Sequence, residues 1–186
     1  MSTEPILNEA ELKMGKSLEH LAGELQTIRT GRANPALVDH IQVPYYGTPT
    51  PLRELAQIST PEARLIVVQV YDRGQVQVVE KAIRESGLGL NPASDGQTIR
   101  VPIPPLTEER RRDFVKMVRA RAEEARVAVR NVRRDENHRL QERAKAGEIP
   151  EDQSKRAQEH LQRITDGHVA RIDAMAMGKE AEVMEV

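Results

Sequence analysis

The chain has 186 residues, of which 31% are charged and only 2% aromatic, and its formal net charge is −1. It contains neither Cys nor Trp, which excludes a disulfide scaffold, a Cys-ligated zinc site, an iron–sulfur cluster and a cysteine nucleophile. No apolar run approaches the roughly 20 residues that span a bilayer, and the N-terminus lacks the basic and apolar regions of a secretory signal, so we expect a cytoplasmic protein without a membrane partner.

The first predicted element is a helix that runs to about Thr30 and stops at Gly31. Thr3 is its expected N-cap. Apolar residues recur at intervals of seven, four and three, which is the spacing of a coiled-coil seam and not of a strand. The residues of this seam are Leu7, Met14, Leu18, Leu21, Leu25 and Ile28.

Residues 31–105 have a different composition, with nine of the eleven prolines and all three tyrosines. Alternating or β-branched runs predict strands at residues 37–43, 65–70 and 98–103. A helix is predicted over residues 75–86, because three apolar side chains share one face and a glycine follows. We therefore expect a compact α+β unit.

The two remaining elements are predicted to be long helices. No Gly or Pro occurs between Thr107 and Gly147, so this helix spans about 40 residues, or roughly 60 Å. A third helix is predicted from about Pro150 to Glu182. The expected core positions are Phe114, Val118, Ala122, Ala125, Val129 and Val132 in the former, and Ala157, Leu161, Ile164, His168, Ile172 and Met175 in the latter.

The predicted fold class is therefore α+β with two domains. Residues 1–30 and 106–186 form a long three-helix, coiled-coil-like bundle, and residues 31–105 form a small α+β domain inserted into it. Because two short connections join the domains, we expect hinge-like motion and an elongated, bent molecule.

The nearly neutral total charge conceals a basic segment. Residues 107–147 carry 13 basic and 8 acidic groups, whereas residues 148–186 carry 5 and 9. A polyanion responds to local charge and not to the total. A nucleic-acid partner is therefore compatible with this composition.

The arginines of the second long helix are regularly spaced. Arg112, Arg119, Arg126 and Arg133 recur every seven residues, and the run from Arg126 to Arg134 contains no acid. The planar guanidinium is well suited to bidentate bonding with phosphate. The alternative is that these charges only fill the solvated face of a helix. Because so few aromatics are available to stack on bases, recognition of a structured RNA by its shape and phosphates is the better-fitting functional reading.

Signs of an enzyme are weak. Asp135 and His138 have the i, i+3 spacing of a metal-binding pair, but a di-metal bundle needs two such pairs. The phosphate-loop and nucleophile-elbow motifs do not occur. We predict no catalytic residue, no metal and no cofactor. An enzyme that uses Asp135 and His138 stays an alternative, as does a coiled-coil adaptor whose arginines only aid solubility.

Several segments of the chain resemble the ribosome recycling factor family. They lie in family order over nearly the full length and comprise residues 28–33, 45–52, 79–83, 88–92, 100–111 and 125–135. The longest reads Arg-Val-Pro-Ile-Pro-Pro-Leu-Thr-Glu-Glu-Arg-Arg.

The resemblance implies a two-domain, L-shaped protein that binds the post-termination ribosome. It implies that the protein acts with elongation factor G and GTP to separate the subunits, that it has no catalytic residues of its own, and that it is a monomer.

The resemblance also suggests site residues. The large-subunit RNA-binding residues would be Arg130 and Arg133, with Arg29 and Arg32 as further basic positions. The charge pattern of the helix, and not the resemblance, adds Arg126 and Arg134 beside them. The hinge would comprise Thr30, Gly31, Arg32, Pro104 and Pro105.

Overall fold

The computed structural model describes residues 2–185, which divide into two compact units. One unit contains residues 2–30 and 108–185, and the other contains residues 31–107. The second unit is thus an insertion between the first and second long helices. The predicted class, a helical bundle with an inserted α+β unit, is confirmed.

The helices are α1 (Glu4–Gln26), α2 (Leu52–Leu55), α3 (Val76–Arg84), α4 (Glu108–Lys145) and α5 (Glu151–Met184). The strands are β1 (Gln42–Tyr45), β2 (Thr48–Pro51), β3 (Ala56–Glu62), β4 (Leu65–Val70), β5 (Ala93–Asp95) and β6 (Thr98–Pro102).

The first unit consists of α1, α4 and α5, and each of these helices packs against the other two. Between α4 and α5 the chain turns at Gly147, whose φ of 75° lies in the left-handed region that favours glycine. This tight reversal makes α4 and α5 antiparallel neighbours. The predicted stop of α4 at Gly147 is confirmed to within two residues.

The core of the bundle departs from the predicted seam in a regular way. In α1, Ile6 and Ala10 are buried and Leu7 is only half-buried. In α4, Val132 is half-buried and Glu136 takes the next core position. The reason is that a straight helix turns once in 3.6 residues, so its buried stripe drifts away from a strict seven-residue repeat.

The same drift affects α5, where Ile164 and Met175 are half-buried and Thr165 and Ala176 are buried instead. The hydroxyl of Thr165 is satisfied, because its Oγ1 donates to the carbonyl of Leu161 at 2.8 Å.

The predicted cap of α1 is also different. Thr3 makes no side-chain capping bond, and Ser2 Oγ accepts from the backbone N–H of Glu4 at 3.1 Å instead. The helix ends at Gln26, four residues before the predicted end, although Ile28 beyond it is still buried.

The second unit contains two antiparallel sheets, β1–β2 and a four-stranded sheet in the order β3-β4-β6-β5. Its core is formed by apolar side chains of both sheets, α2 and α3, among them Val43, Leu52, Val68, Ile83 and Ile99. The helix predicted over residues 75–86 is confirmed as α3.

The strand predicted over residues 37–43 is wrong for all but its last two residues. Pro35–Leu37 is a single turn of 3₁₀-helix, and β1 begins only at Gln42. Asn34 explains the difference, because its side chain accepts a bond from the backbone N–H of Ala36 at 3.0 Å and Pro35 follows it. Such a side-chain turn competes with an extended backbone.

The β1–β2 hairpin turns at Tyr46 and Gly47, which have φ values of 47° and 83°. Two consecutive positive φ values are typical of the tightest hairpin turn. Tyr46 is exposed, and its hydroxyl donates to Asp72 Oδ2 at 3.1 Å. The pKa of Tyr46 is raised by this hydrogen bond to the Asp72 carboxylate.

Candidate nucleic-acid interface

Arginines of α4 contact α5 at intervals of seven residues. Arg119 Nε donates to Glu180 Oε1 at 2.9 Å, and Arg126 Nε donates to Asp173 Oδ1 at 2.8 Å. The hydrogen bond to Glu180 raises the pKa of Arg119. We call Arg119, Arg126 and Arg133 the arginine row.

Arg126 is neutralised further by a carboxylate of its own helix. Its Nη1 lies 3.1 Å from Glu123 Oε2, and its side chain is only 23% exposed. Burial lowers the pKa of Arg126, but the hydrogen bonds to Asp173 and Glu123 outweigh burial, so the pKa lies above its usual value. The positive charge of Arg126 is therefore balanced within the bundle.

The next arginines along α4 have neutral partners. Arg133 Nη1 donates to the amide oxygen of Gln162 at 2.8 Å, and Arg134 Nη2 donates to that of Asn131 at 3.1 Å. Neither guanidinium forms an ion pair with a carboxylate among residues 2–185. An amide orients a guanidinium without cancelling its charge.

Arg130 is intermediate between these two cases. Its Nη1 lies 3.5 Å from Glu123 Oε1, and 52% of its side chain is exposed. A pair as exposed as this is weak, so it leaves most of the charge of Arg130 available to another anion. The four arginines from Arg126 to Arg134 are named the arginine cluster, and their charge is progressively less balanced toward Arg134.

The other predicted basic and hinge residues lie where the two units meet in sequence. Arg29 is exposed in the first unit, and Arg32 is exposed in the second. Gly31 has a φ of 75°, and a side chain there would lie 3.5 Å from Leu106. Pro104 and Pro105 are exposed in an irregular segment before α4.

Asp135 and His138, the pair considered for an enzymatic site, do not lie in a metal-binding cluster within residues 2–185. Asp135 and His138 are both exposed on α4, and no group of three or more His, Asp or Glu side chains within residues 2–185 is arranged to hold a metal ion. In the same part of the chain, no helix combines the length and the apolar character needed to cross a membrane.

An acidic repeat of α5 opposite the arginine row was not predicted from the sequence, and two of its three members pair with the row. Asp166, Asp173 and Glu180 recur every seven residues along α5, in the reverse order of Arg133, Arg126 and Arg119 along α4. In antiparallel neighbouring helices two such complementary repeats can align. This acidic repeat is visible in the sequence and could have predicted ion pairs between α4 and α5.

A buried charge network was likewise not predicted from the sequence. Glu136, 1% exposed, accepts from Lys13 Nζ at 2.9 Å and from Arg139 Nη1 at 2.8 Å. Glu9 bonds to the same two cations. These four residues, the Glu136 network, connect α1 to α4 and do not belong to the arginine cluster.

Similarity to known proteins identifies the family of this chain. The model of the ribosome recycling factor family matches residues 21–184. This chain belongs to the ribosome recycling factor family. The chain is 54% identical over 181 residues to the ribosome-recycling factor of Halalkalibacterium halodurans, covering 97% of this chain and 98% of that one. It is 52% identical to that of Bordetella pertussis over the full length of both.

Solved structures of the family agree with this assignment. A solution structure of a ribosome recycling factor is 46% identical, covers 100% of this chain and 99% of its own, and has a TM-score of 0.72. A second structure covers 100% of both chains at 46% identity with a TM-score of 0.63. It describes the T. thermophilus ribosome recycling factor and E. coli elongation factor G bound to the E. coli post-termination complex.

Proposed function

We propose that this protein recycles ribosomes: it binds the post-termination ribosome and, with elongation factor G and GTP, promotes separation of the subunits so that translation can start again. Family membership over the whole chain supports this function. The observation in the structure that carries it is the neutral pairing of Arg133 and Arg134, which leaves two positive charges on the surface of a long, rigid helix.

In this proposal the arginine cluster binds phosphates of large-subunit RNA. Arg130, Arg133 and Arg134 make the main contacts, because their charges are least balanced within the bundle. Arg126 contributes at the edge of the surface, since a phosphate would have to compete with Asp173 for it. Arg29 and Arg32, which precede α4 in the sequence, add further positive charge.

The two units act as domains connected by a hinge at Thr30, Gly31, Arg32, Pro104 and Pro105. The division of the chain at residues 30/31 and 107/108 supports this assignment. Near both positions the backbone that connects the two units is neither helix nor β-strand. The second domain receives force from elongation factor G. The protein acts as a monomer in the cytoplasm, and GTP is hydrolysed by its partner and not by the protein itself.

The arginine contacts are tested by co-sedimentation with large ribosomal subunits over a salt series. Arg133→Gln should weaken binding and reduce the slope of log affinity against log salt by about one unit, because one phosphate contact is lost. The matched control is Arg121→Gln, since Arg121 lies on the same helix but bonds to Glu24 and Glu124. Equal affinity of the two variants would contradict the proposed contact.

The wider function is tested by splitting of post-termination ribosomes. The unmodified protein should dissociate the subunits only when elongation factor G and GTP are both present. Splitting that proceeds equally without the elongation factor, or does not occur with it, would refute the proposed function.

A further inference from the structure

The third member of the arginine row breaks the pairing pattern of the first two. Arg119 bonds to Glu180 and Arg126 bonds to Asp173. One heptad further on, the same register aligns Arg133 with Asp166. Arg133 nevertheless forms no ion pair with Asp166.

Gln162 lies between these two groups in the hydrogen-bond network. Its Oε1 accepts from Arg133 Nη1 at 2.8 Å, and its Nε2 donates to Asp166 Oδ1 at 2.8 Å. Gln162 and Asp166 are four residues apart and therefore share one face of α5. The primary amide has one acceptor and two donors, so it bonds to both charged groups at once while remaining neutral itself.

The arrangement leaves Arg133 without its full set of bonds. Its Nε is buried and has no hydrogen-bond partner among residues 2–185, although its terminal nitrogens extend to a partly exposed position. A guanidinium that paired directly with a carboxylate would present less charge to an external anion.

We propose that Gln162 is a positioning residue that separates Arg133 from Asp166 and so keeps the Arg133 guanidinium available to an RNA phosphate. Asp166 is the internal anion that competes with phosphate when the amide is absent. This inference rests on the proposed function, because it assumes that Arg133 contacts RNA, and it adds a residue of α5 to a surface otherwise assigned to α4.

The test measures affinity for purified large ribosomal subunits. Gln162→Leu removes both hydrogen bonds of the amide and lets Arg133 pair with Asp166, so we expect affinity to fall about three- to tenfold and the salt slope to fall toward that of Arg133→Gln. Adding Asp166→Asn to Gln162→Leu removes the competing charge and should restore most of the affinity. Gln153→Leu, an exposed position at the start of α5, controls for the added apolar surface.

The outcomes separate the inference from the proposed function. If Arg133→Gln weakens binding but Gln162→Leu does not, Gln162 has no positioning role and the inference is wrong. If Gln162→Leu weakens binding and Asp166→Asn gives no rescue, the effect is one of general structure and the inference is equally wrong. Should Arg133→Gln itself bind like the parent, the RNA contact fails and the inference fails with it. Thermal unfolding of each variant shows whether all remain folded.

Discussion

Replacing Glu136 by Gln is expected to destabilise the three-helix unit by about 2 kcal/mol. The Glu136 side chain is only 1% exposed, and its two oxygens accept separately from Lys13 and Arg139. A charge-assisted hydrogen bond contributes about 1.5–3 kcal/mol. The amide retains one acceptor but turns its NH₂ toward the other cation. The net loss is therefore about that of one such bond, and it is limited because the side chains of Lys13 and Arg139 are 45% and 41% exposed and regain water.

The two cations should not contribute additively. Lys13→Met or Arg139→Met alone leaves Glu136 with one partner, so each is expected to cost about 1 kcal/mol. The double variant leaves a buried carboxylate without any cation, and about 3–5 kcal/mol is the usual cost of that state. When Glu136 is first replaced by Leu, the same double change should cost much less, because no buried charge remains to be compensated.

These values are measured by urea unfolding followed by circular dichroism at neutral pH. The matched control is Glu142→Gln, since Glu142 is an exposed acid of the same helix whose side chain, within residues 2–185, bonds only to Lys145. This change should alter stability by less than about 0.5 kcal/mol. A double variant no less stable than the sum of its single changes would refute the reasoning that both cations serve one buried carboxylate.

Four further substitutions test other parts of the structure. Gly167→Ala and Gly178→Ala should each stabilise the protein by up to about 1 kcal/mol in thermal unfolding, because a methyl group at either helical site would meet no atom of residues 2–185 within 4 Å beyond the adjacent backbone of its own helix. A loss of stability would contradict this. Gly47→Ala should destabilise it by about 1–2 kcal/mol, since the φ of 83° disfavours any side chain, and an unchanged melting temperature would count against the turn described here. The hydrogen bonds from Arg139 and Lys13 lower the pKa of Glu9 from 4.5 to about 2. The stabilisation from these bonds should therefore be complete above pH 4.5 and be lost as the pH falls toward 2. Glu9→Gln should flatten the profile of melting temperature against pH over this range, and a profile identical to that of the parent protein would contradict the prediction.

Much of the helical architecture was predictable from the sequence. The long helices follow from apolar spacing and from the absence of Gly and Pro between residues 107 and 147, and Gly147 marks the reversal. These are local signals, because helix hydrogen bonds join residues close in the chain. The inserted α+β unit followed from the change in proline content.

The strands were predicted less well. Residues 65–70 and 98–103 are strands nearly as expected, but β2, β3 and β5 were not predicted. The second half of β3 contains Ser-Thr-Pro-Glu, and all three residues of β5 are exposed, so neither shows the alternation of a half-buried strand. Both strands lie at the edges of the four-stranded sheet, and their extended form depends on pairing with β4 and β6, which the local sequence does not encode.

The sequence by itself determined where the arginines lie along α4, and hence that a basic surface exists. Only the tertiary structure decided which of them keep their charge. Arg119 and Arg126 are bonded to carboxylates of α5, whereas Arg133 is bonded to a neutral amide. The physical reason is that side chains on two helices meet according to the register and rotation of the helices, which the packing of the whole bundle sets. The same packing, with its 3.6-residue drift, places Glu136 in the core and makes it depend on cations from two helices.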